Sequence, residues 1–205
     1  MDNIEWKSFV LTDVFDITST NSGIDKNKIK EINIEGKNPY ITRTDKNNGI
    51  DGFIIEQDYE LNNGNVITIG LDTQTVFYQP HSFYTGQNIQ ILSNAQLNKY
   101  NALFLVNLLK IVLKKFNWGG NGATLTRLKN SRILLPINDE GLPNYEYMEK
   151  YMKLKENELI QRYSKYIDEI NLTIGGGGQN IIYIRMIGKN FTLMNYLKKY
   201  KEEKD

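Results

Sequence analysis

The chain has 205 residues, 40% of them hydrophobic and 24% charged, and these proportions suit one globular domain with room for an appendage. Its formal net charge of +1 excludes attraction to polyanions by overall charge, so a nucleic-acid partner would require basic residues gathered on one face. The absence of cysteine excludes disulfides and cysteine-ligated zinc, and the single histidine excludes a two-histidine metal site.

The N-terminal residues lack the pattern of a targeting segment, because no basic stretch precedes an apolar run. The longest apolar segment, Ala102 to Leu113, is interrupted by Asn107 and Lys110 and is shorter than the roughly 20 residues that span a bilayer. We therefore expect a cytoplasmic protein with no membrane partner.

Residues 1–140 have the pattern of an α+β domain, with a mixed twisted β-sheet and packed helices. An apolar cluster from Trp6 to Ile17 opens the domain, and a helix is predicted from its cap at Asn98 to Phe116. The other predicted elements are short strands separated by turn formers: Pro39 to Arg43, Gly52 to Ile55, Asn65 to Gly70, Gln74 to Tyr78, Asn88 to Leu92 and Arg132 to Pro136.

A long projecting α-helix is predicted over residues 144–172, with a length of roughly 40 Å at 1.5 Å per residue. Its apolar side chains recur at nearly heptad spacing, which predicts a seam for dimerisation or partner docking. Alternatively, the helix lies on its own domain. The seam consists of Met148, Met152, Leu159, Tyr163, Tyr166 and Ile170.

The tail, residues 173–205, begins with a glycine-rich break at Gly175 to Gly178. A short strand and a basic helix are predicted after the break. The four glycines lack the Gly-Lys-Ser/Thr ending of a phosphate-binding loop, so no nucleotide site is expected there.

Catalytic motifs are incomplete throughout the chain. Asn38-Pro-Tyr-Ile has one proline fewer than the Asn-Pro-Pro-Tyr motif of amino-methyltransferases, and no glycine-rich loop for S-adenosylmethionine accompanies it. The acidic residues Asp51, Glu56 and Asp58 leave open an alternative, a stand-alone metal-dependent nuclease. We expect no catalytic and no metal-binding residue.

The charge distribution along the chain is uneven. From Lys110 to Arg132 there are six basic residues and no acidic one, whereas Asp51 to Glu60 contains four acids and no base. Lys and Arg in such a stretch neutralise phosphates, so this segment is a candidate for contact with the DNA backbone. A solvated basic face is the alternative interpretation.

Three predicted loops concentrate polar and planar side chains: loop 1 (residues 42–49), loop 2 (residues 78–88) and loop 3 (residues 118–127). Fork-shaped Arg, Asn and Gln side chains match two base-edge atoms at once, so these loops suit readout of double-stranded DNA. The predicted DNA-binding residues are Thr42, Arg43, Thr44, Lys46, Asn47, Asn48, Tyr78, Gln79, Tyr84, Asn88, Lys115, Trp118, Asn121, Thr124, Arg127 and Lys129.

An ordered set of motifs over about residues 5–153 resembles the target recognition domains of restriction-modification specificity (S) subunits. Each motif is weak alone, and their order makes the resemblance specific. The motifs are Trp6-x-x-Phe9-x-Leu11-x-Asp13-Val14-Phe15-x-Ile17, Pro39-Tyr-Ile-Thr-Arg-Thr, Asn47-Asn-Gly-Ile, Ile67-Thr-Ile-Gly70, Tyr78-Gln-Pro, Phe83-Tyr-Thr-Gly and Leu128-Lys-x-x-x-Ile133-x-Leu-Pro136.

This resemblance implies a non-catalytic subunit that directs a DNA methyltransferase, and possibly a restriction subunit, to its target. The chain itself would bind no cofactor, because S-adenosylmethionine is expected on the partner methyltransferase. Complete S subunits have two such domains, so one domain with one long helix implies a half-subunit that pairs as a homodimer. The segment after Leu135 departs from the type I pattern and is more similar to type II systems. An assembly module that does not read DNA is the remaining alternative.

Overall fold

The structure is a computed structural model that describes residues 4–20, 23–30, 37–116 and 124–174, with side chains to Ile167. Residues up to Lys153 form one compact unit, and those from Leu154 onward belong to a second. The elements are β1 (Trp6–Val10), α1 (Leu11–Val14), β2 (Asp16–Ser19), β3 (Asn38–Ile41), β4 (Ile50–Ile54), β5 (Val66–Gly70), β6 (Thr75–Gln79), β7 (Tyr84–Thr85), β8 (Ile89–Ser93), α2 (Lys99–Leu113), α3 (Leu125–Lys129), β9 (Arg132–Pro136) and α4 (Tyr145–Ile174).

The strands form three sheets rather than the single sheet predicted from the sequence. The largest is antiparallel with the order β2-β8-β5-β6, and β1 pairs with β9 in a separate two-stranded sheet. The third has the order β4-β3-β7, in which β3 and β4 are antiparallel and β3 and β7 are parallel. The α+β class is confirmed, with strand pairing of both directions.

The main core lies between the four-stranded sheet and α2. All five residues of β5 are buried, as expected of a strand with neighbours on both edges. Apolar side chains of α2 face this core, with Val106, Leu109 and Leu113 buried. Ile24, Tyr40, Ile54 and Tyr84 form a smaller cluster at the three-stranded sheet.

Helix α4 begins at Tyr145, close to the predicted start, and ends at Ile174. Its first two turns pack into the compact unit, where Met148 is fully buried and Met152 is half-buried against the main core. The prediction that Met148 forms part of a partner seam is therefore wrong, and for Met152, which is only half-buried, it stays a prediction. Among the described residues, no helix is long and apolar enough to cross a membrane.

Polar contacts also tie the base of α4 to the start of α2. Asn98 caps α2 by accepting hydrogen bonds from the backbone of Tyr100 and Asn101, and its amide nitrogen donates to the Glu149 carboxylate at 2.7 Å. Lys153 bonds the same carboxylate at 2.6 Å. These hydrogen bonds, from Lys153 first and Asn98 second, lower the pKa of Glu149.

Replacing Asn98 by alanine is expected to lower the free energy of unfolding by about 1–2 kcal/mol, because the helix cap and the bond to Glu149 are both lost. The control is Asn107→Ala on the same helix, where the exposed amide bonds Leu103 within α2. That variant should be neutral or slightly stabilised, since alanine favours helix. Urea denaturation measures both, and equal effects would contradict the role given to the cap.

Candidate nucleic-acid interface

The turn between β5 and β6 is the point where loop 1, loop 2 and the end of α2 meet. Asp72 in this turn forms an ion pair with Arg43 of loop 1 and accepts a hydrogen bond from Asn88 of loop 2 at 3.1 Å. Two residues further on, the Gln74 amide donates to the backbone carbonyl of Phe116, just after α2. Segments far apart in the sequence thus converge around four turn residues.

Arg43 is positioned by both its backbone and its aliphatic stem. It lies two residues after the end of β3, and loop 1 is closed by a hydrogen bond of 2.9 Å from the backbone of Thr42 to Gly49. Its Cγ lies 3.4 Å from the position that a Cβ on Gly70 would occupy, so the stem rests on the bare backbone of β5. The Arg43 side chain as a whole remains 44% exposed, which leaves it accessible to a ligand.

Loop 1 divides into residues that shape it and residues that face solvent. Asn47 and Asn48 both have left-handed backbone angles, a conformation that asparagine tolerates well. The Asn48 amide donates to the Tyr78 carbonyl at 2.9 Å, while the hydroxyls of Thr42 and Thr44 accept backbone hydrogen bonds within the loop. The exposed candidates for DNA contact that remain besides Arg43 are Lys46 and Asn47.

A basic face of α2 adjoins this region through Phe77. The Lys110 ammonium lies 5.4 Å from the centre of the Phe77 ring, and a Cβ on Gly49 would lie 3.1 Å from the same ring. Lys114 and Lys115 at the end of α2 are also exposed. Part of the predicted basic stretch therefore lies beside loop 1, although the two segments are far apart in the sequence.

Two residues of loop 2 do not have the predicted DNA-facing position. Gln79 is buried, and its amide nitrogen donates to the Asn48 carbonyl at 3.0 Å and to the Thr68 hydroxyl at 3.1 Å. Tyr84 is 2% exposed, and its hydroxyl accepts a hydrogen bond from the Gln57 backbone. Both side chains stabilise the loop from within, because a buried polar group requires a partner.

Tyr78 in loop 2 is half-buried rather than free. Its hydroxyl donates to the Asn65 side chain at 3.0 Å, and its ring packs against the main core. Desolvation by burial raises the pKa of this hydroxyl, so it remains protonated at neutral pH. Asn88 has a left-handed backbone and is exposed, which makes it the loop 2 candidate best presented to a ligand.

Loop 3 is shorter than predicted, because residues from Leu125 form α3. The Thr124 hydroxyl caps this helix by accepting a hydrogen bond from the Arg127 backbone. Lys129 lines a hollow with Thr12 to Ile17, at the end of β2 where Asp16 lies. Asn88 lies near the opposite end of β2, because it directly precedes β8, whose first residues lie next to Ser19. The structure thus does not bring Lys129 to the Arg43 region. Trp118 and Asn121 lie outside the described residues.

Two of the three acidic residues of the nuclease alternative, Asp51 and Asp58, are engaged in surface ion pairs. Asp51 pairs with Lys26 at 2.9 Å, and Asp58 pairs with Lys30. Within the described ranges, no three or more His, Asp or Glu residues are grouped so that they could hold a metal ion. No observation therefore favours the nuclease alternative over DNA recognition.

Sequence reasoning missed Asp72 and Gln74, which join the loops. The available signal was a short polar turn, Asp72-Thr-Gln74, between two β-like runs. Such turns are common in hairpins, and nothing local indicates which distant side chains they contact. Only the tertiary structure identifies this turn as the centre of the site.

The chain belongs to the type I restriction modification DNA specificity domain family, which it matches over residues 3–165. It is 32% identical over 168 residues to the type II restriction enzyme specificity subunit S.BcgI of Heyndrickxia coagulans, covering 79% of this chain and 47% of the relative.

Two solved structures have a similar fold. The type I restriction-modification S subunit from M. genitalium matches with a TM-score of 0.57 at 18% identity, over 84% of this chain and 44% of that one. The HsdS subunit from Thermoanaerobacter tengcongensis matches with a TM-score of 0.52 at 15% identity, over 75% of this chain and 38% of that one. The chain thus spans less than half the length of each of these relatives, between 38% and 47%.

Proposed function

We propose that this chain reads a specific sequence in double-stranded DNA for a restriction-modification methyltransferase and has no catalytic centre of its own. The observation that carries the proposal is the convergence of Arg43 and Asn88 on the β5–β6 turn, beside the lysines of α2. Fork-shaped and positive side chains on one surface are what a duplex groove requires. The family to which the chain belongs supports the same function.

In the proposed complex, phosphate contacts and base contacts come from different elements. Lys110 on α2 and Lys114 and Lys115 directly after it hold the DNA backbone and set the register, because ammonium groups neutralise phosphates without reading sequence. Arg43 and Asn88 reach base edges in the major groove, where each good bidentate contact discriminates by about 1–3 kcal/mol.

The chemistry belongs to the partners. The methyltransferase holds S-adenosylmethionine and modifies the target base after flipping it out of the duplex. A restriction subunit is a further proposed partner, because the relative from Heyndrickxia coagulans is a specificity subunit of a type II restriction enzyme. The complex would act in the cytoplasm, where these partners and the DNA are present together.

The proposed oligomer is a homodimer formed through α4. Beyond the part of the helix that packs into the compact unit, Leu159, Tyr163 and Tyr166 are exposed at spacings of four and three residues, which puts them on one helical face. Exposed apolar residues on one helical face favour pairing with a second helix. The side chain of Ile170, the last seam residue, lies outside the described residues.

The test uses a duplex library with a randomised central segment. The full chain should enrich one sequence motif, and its affinity should fall as salt rises because phosphate contacts release counterions. In the double variant Lys110→Gln with Lys114→Gln, the slope of log affinity against log salt should decrease by about two, with the enriched motif unchanged.

The matched control removes two lysines elsewhere. Lys26→Gln with Lys30→Gln loses the same positive charge, from positions paired with Asp51 and Asp58. This control should leave the salt slope unchanged. Enrichment of no motif by the unchanged chain would overturn the proposed function, and an equal loss of slope in both double variants would overturn the role of α2.

A further inference from the structure

We propose that Asp72 is a specificity-determining positioning residue, which holds Arg43 and Asn88 as one composite reader of two neighbouring base pairs. The inference rests on the proposed function and assigns a role to a residue that would not itself touch DNA. It follows from counting the donor and acceptor groups that remain available on Arg43 and Asn88 when both bond the Asp72 carboxylate.

Arg43 meets Asp72 through one of its terminal nitrogens only. The ion pair is formed by Nη1, and within the described residues Nε and Nη2 of Arg43 have no hydrogen-bond partner. The free edge made by Nε and Nη2 is a fork of two parallel donors, the shape that guanine accepts with O6 and N7. Asp72 can therefore fix the guanidinium plane and leave the reading edge open.

The same count for Asn88 shows that its side chain also retains groups that can bond a base edge. Its amide nitrogen carries two hydrogens, and one of them bonds Asp72. The other hydrogen and the carbonyl oxygen remain, and neither has a partner within the described part of the chain. Together they match N7 and the N6 amino group of adenine. The pair as presented in the structure is thus complementary to one guanine and one adenine.

The two readers bond the same oxygen of Asp72, Oδ2. Groups that converge on one atom lie close together, and neighbouring bases on a strand are separated by about 3.4 Å along the duplex. Adjacent base pairs are therefore within reach of the pair. Holding both side chains in place before binding also reduces the rotamer freedom that is lost when DNA binds.

The negative charge of Asp72 has a competing effect, because a carboxylate repels phosphates. A purely electrostatic role would weaken binding to all sequences alike, whereas a positioning role changes the preference at two particular positions. Asp45 provides the comparison, since it lines the same hollow as Arg43 and Asp72. It has the same charge and no hydrogen bond or ion pair within the described residues.

The experiment repeats the randomised-duplex selection with four variants of the full chain: Arg43→Ala, Asn88→Ala, Asp72→Ala and Asp45→Ala. Arg43→Ala should relax one guanine position, and Asn88→Ala should relax an adjacent adenine position. Asp72→Ala should reduce the preference at both positions by about tenfold or more, with unchanged or stronger binding to non-specific duplex. Circular dichroism confirms that each variant is folded.

Asp45→Ala should strengthen binding to all sequences alike and leave the motif unchanged. The inference is overturned, and the proposed function survives, if Asp72→Ala retains the preferences that the Arg43 and Asn88 variants lose. It is also overturned if Asp72→Ala behaves like Asp45→Ala. If the unchanged chain enriches no motif, the proposed function fails and this inference fails with it.

Discussion

Replacing Met148 by alanine is expected to lower the free energy of unfolding of the compact unit by about 2–5 kcal/mol. Met148 is fully buried among the core residues that include Leu105 and Leu109 of α2, so truncation removes apolar contacts and leaves a cavity. A loss of this size is a large fraction of the stability of a typical domain. Urea denaturation followed by circular dichroism measures it.

The control for this prediction lies two turns further along the same helix. Leu154 has an apolar side chain that is 51% exposed, so Leu154→Ala creates no cavity. Its effect should lie within about 0.5 kcal/mol of the unchanged chain. If Met148→Ala were equally mild, the base of α4 would not be part of the core, and the original prediction of a continuous partner seam would stand again.

Helix α4 shows what a regular spacing of apolar residues determines, because its seam residues differ in burial although their spacing is nearly regular. The spacing of the seam residues correctly predicted a helix and its start, because helical periodicity is a local property. It did not determine what the apolar face packs against. Met148 meets the domain core and Tyr166 is exposed to solvent, although both belong to one nearly regular pattern.

Strand pairing was less predictable than the strands themselves. The five predicted runs between residues 39 and 92 all correspond to observed strands, with ends shifted by at most two residues. Their division among three sheets depends on hydrogen bonds between distant segments, such as β1 with β9. The sequence pattern contains no signal for such partners, so a single sheet was the simpler expectation.

The candidate site shows the same limit for side chains. Arg43 and Asn88 were predicted because their chemistry suits base edges, and the structure presents both at the surface. Gln79 has suitable chemistry as well, yet it is buried because Thr68 and the Asn48 carbonyl provide the partners that make its burial possible. Residue type indicates what a side chain is able to do, and its partners in the fold decide whether it is available.

The double variant Tyr163→Glu with Tyr166→Glu is expected to raise the dissociation constant of the proposed homodimer at least about 100-fold, or about 2.8 kcal/mol. In a symmetric dimer each substitution occurs twice, and the change replaces aromatic contacts by carboxylates that repel one another. Because both side chains are exposed in the single chain, its folding should be little affected. Sedimentation over a range of protein concentrations measures the change.

The matched control adds the same charge to the other side of the helix. Gln161 and Ser164 are exposed, and at 100° per residue they point away from the face of Leu159, Tyr163 and Tyr166. Gln161→Glu with Ser164→Glu should therefore leave association unchanged. An unchanged chain that sediments as a monomer with and without DNA would remove the dimer altogether.

The proposed homodimer and the proposed DNA recognition can be tested separately, because dimerisation determines how many half-sites are read. A dimer with twofold symmetry presents two identical reading surfaces, so it should enrich a target with two inverted half-sites at a fixed spacing. The Tyr163→Glu with Tyr166→Glu variant retains Arg43, Asp72 and Asn88 and should enrich a single half-site. Loss of the second half-site without change in the first would assign dimerisation to α4 and base reading to the compact unit.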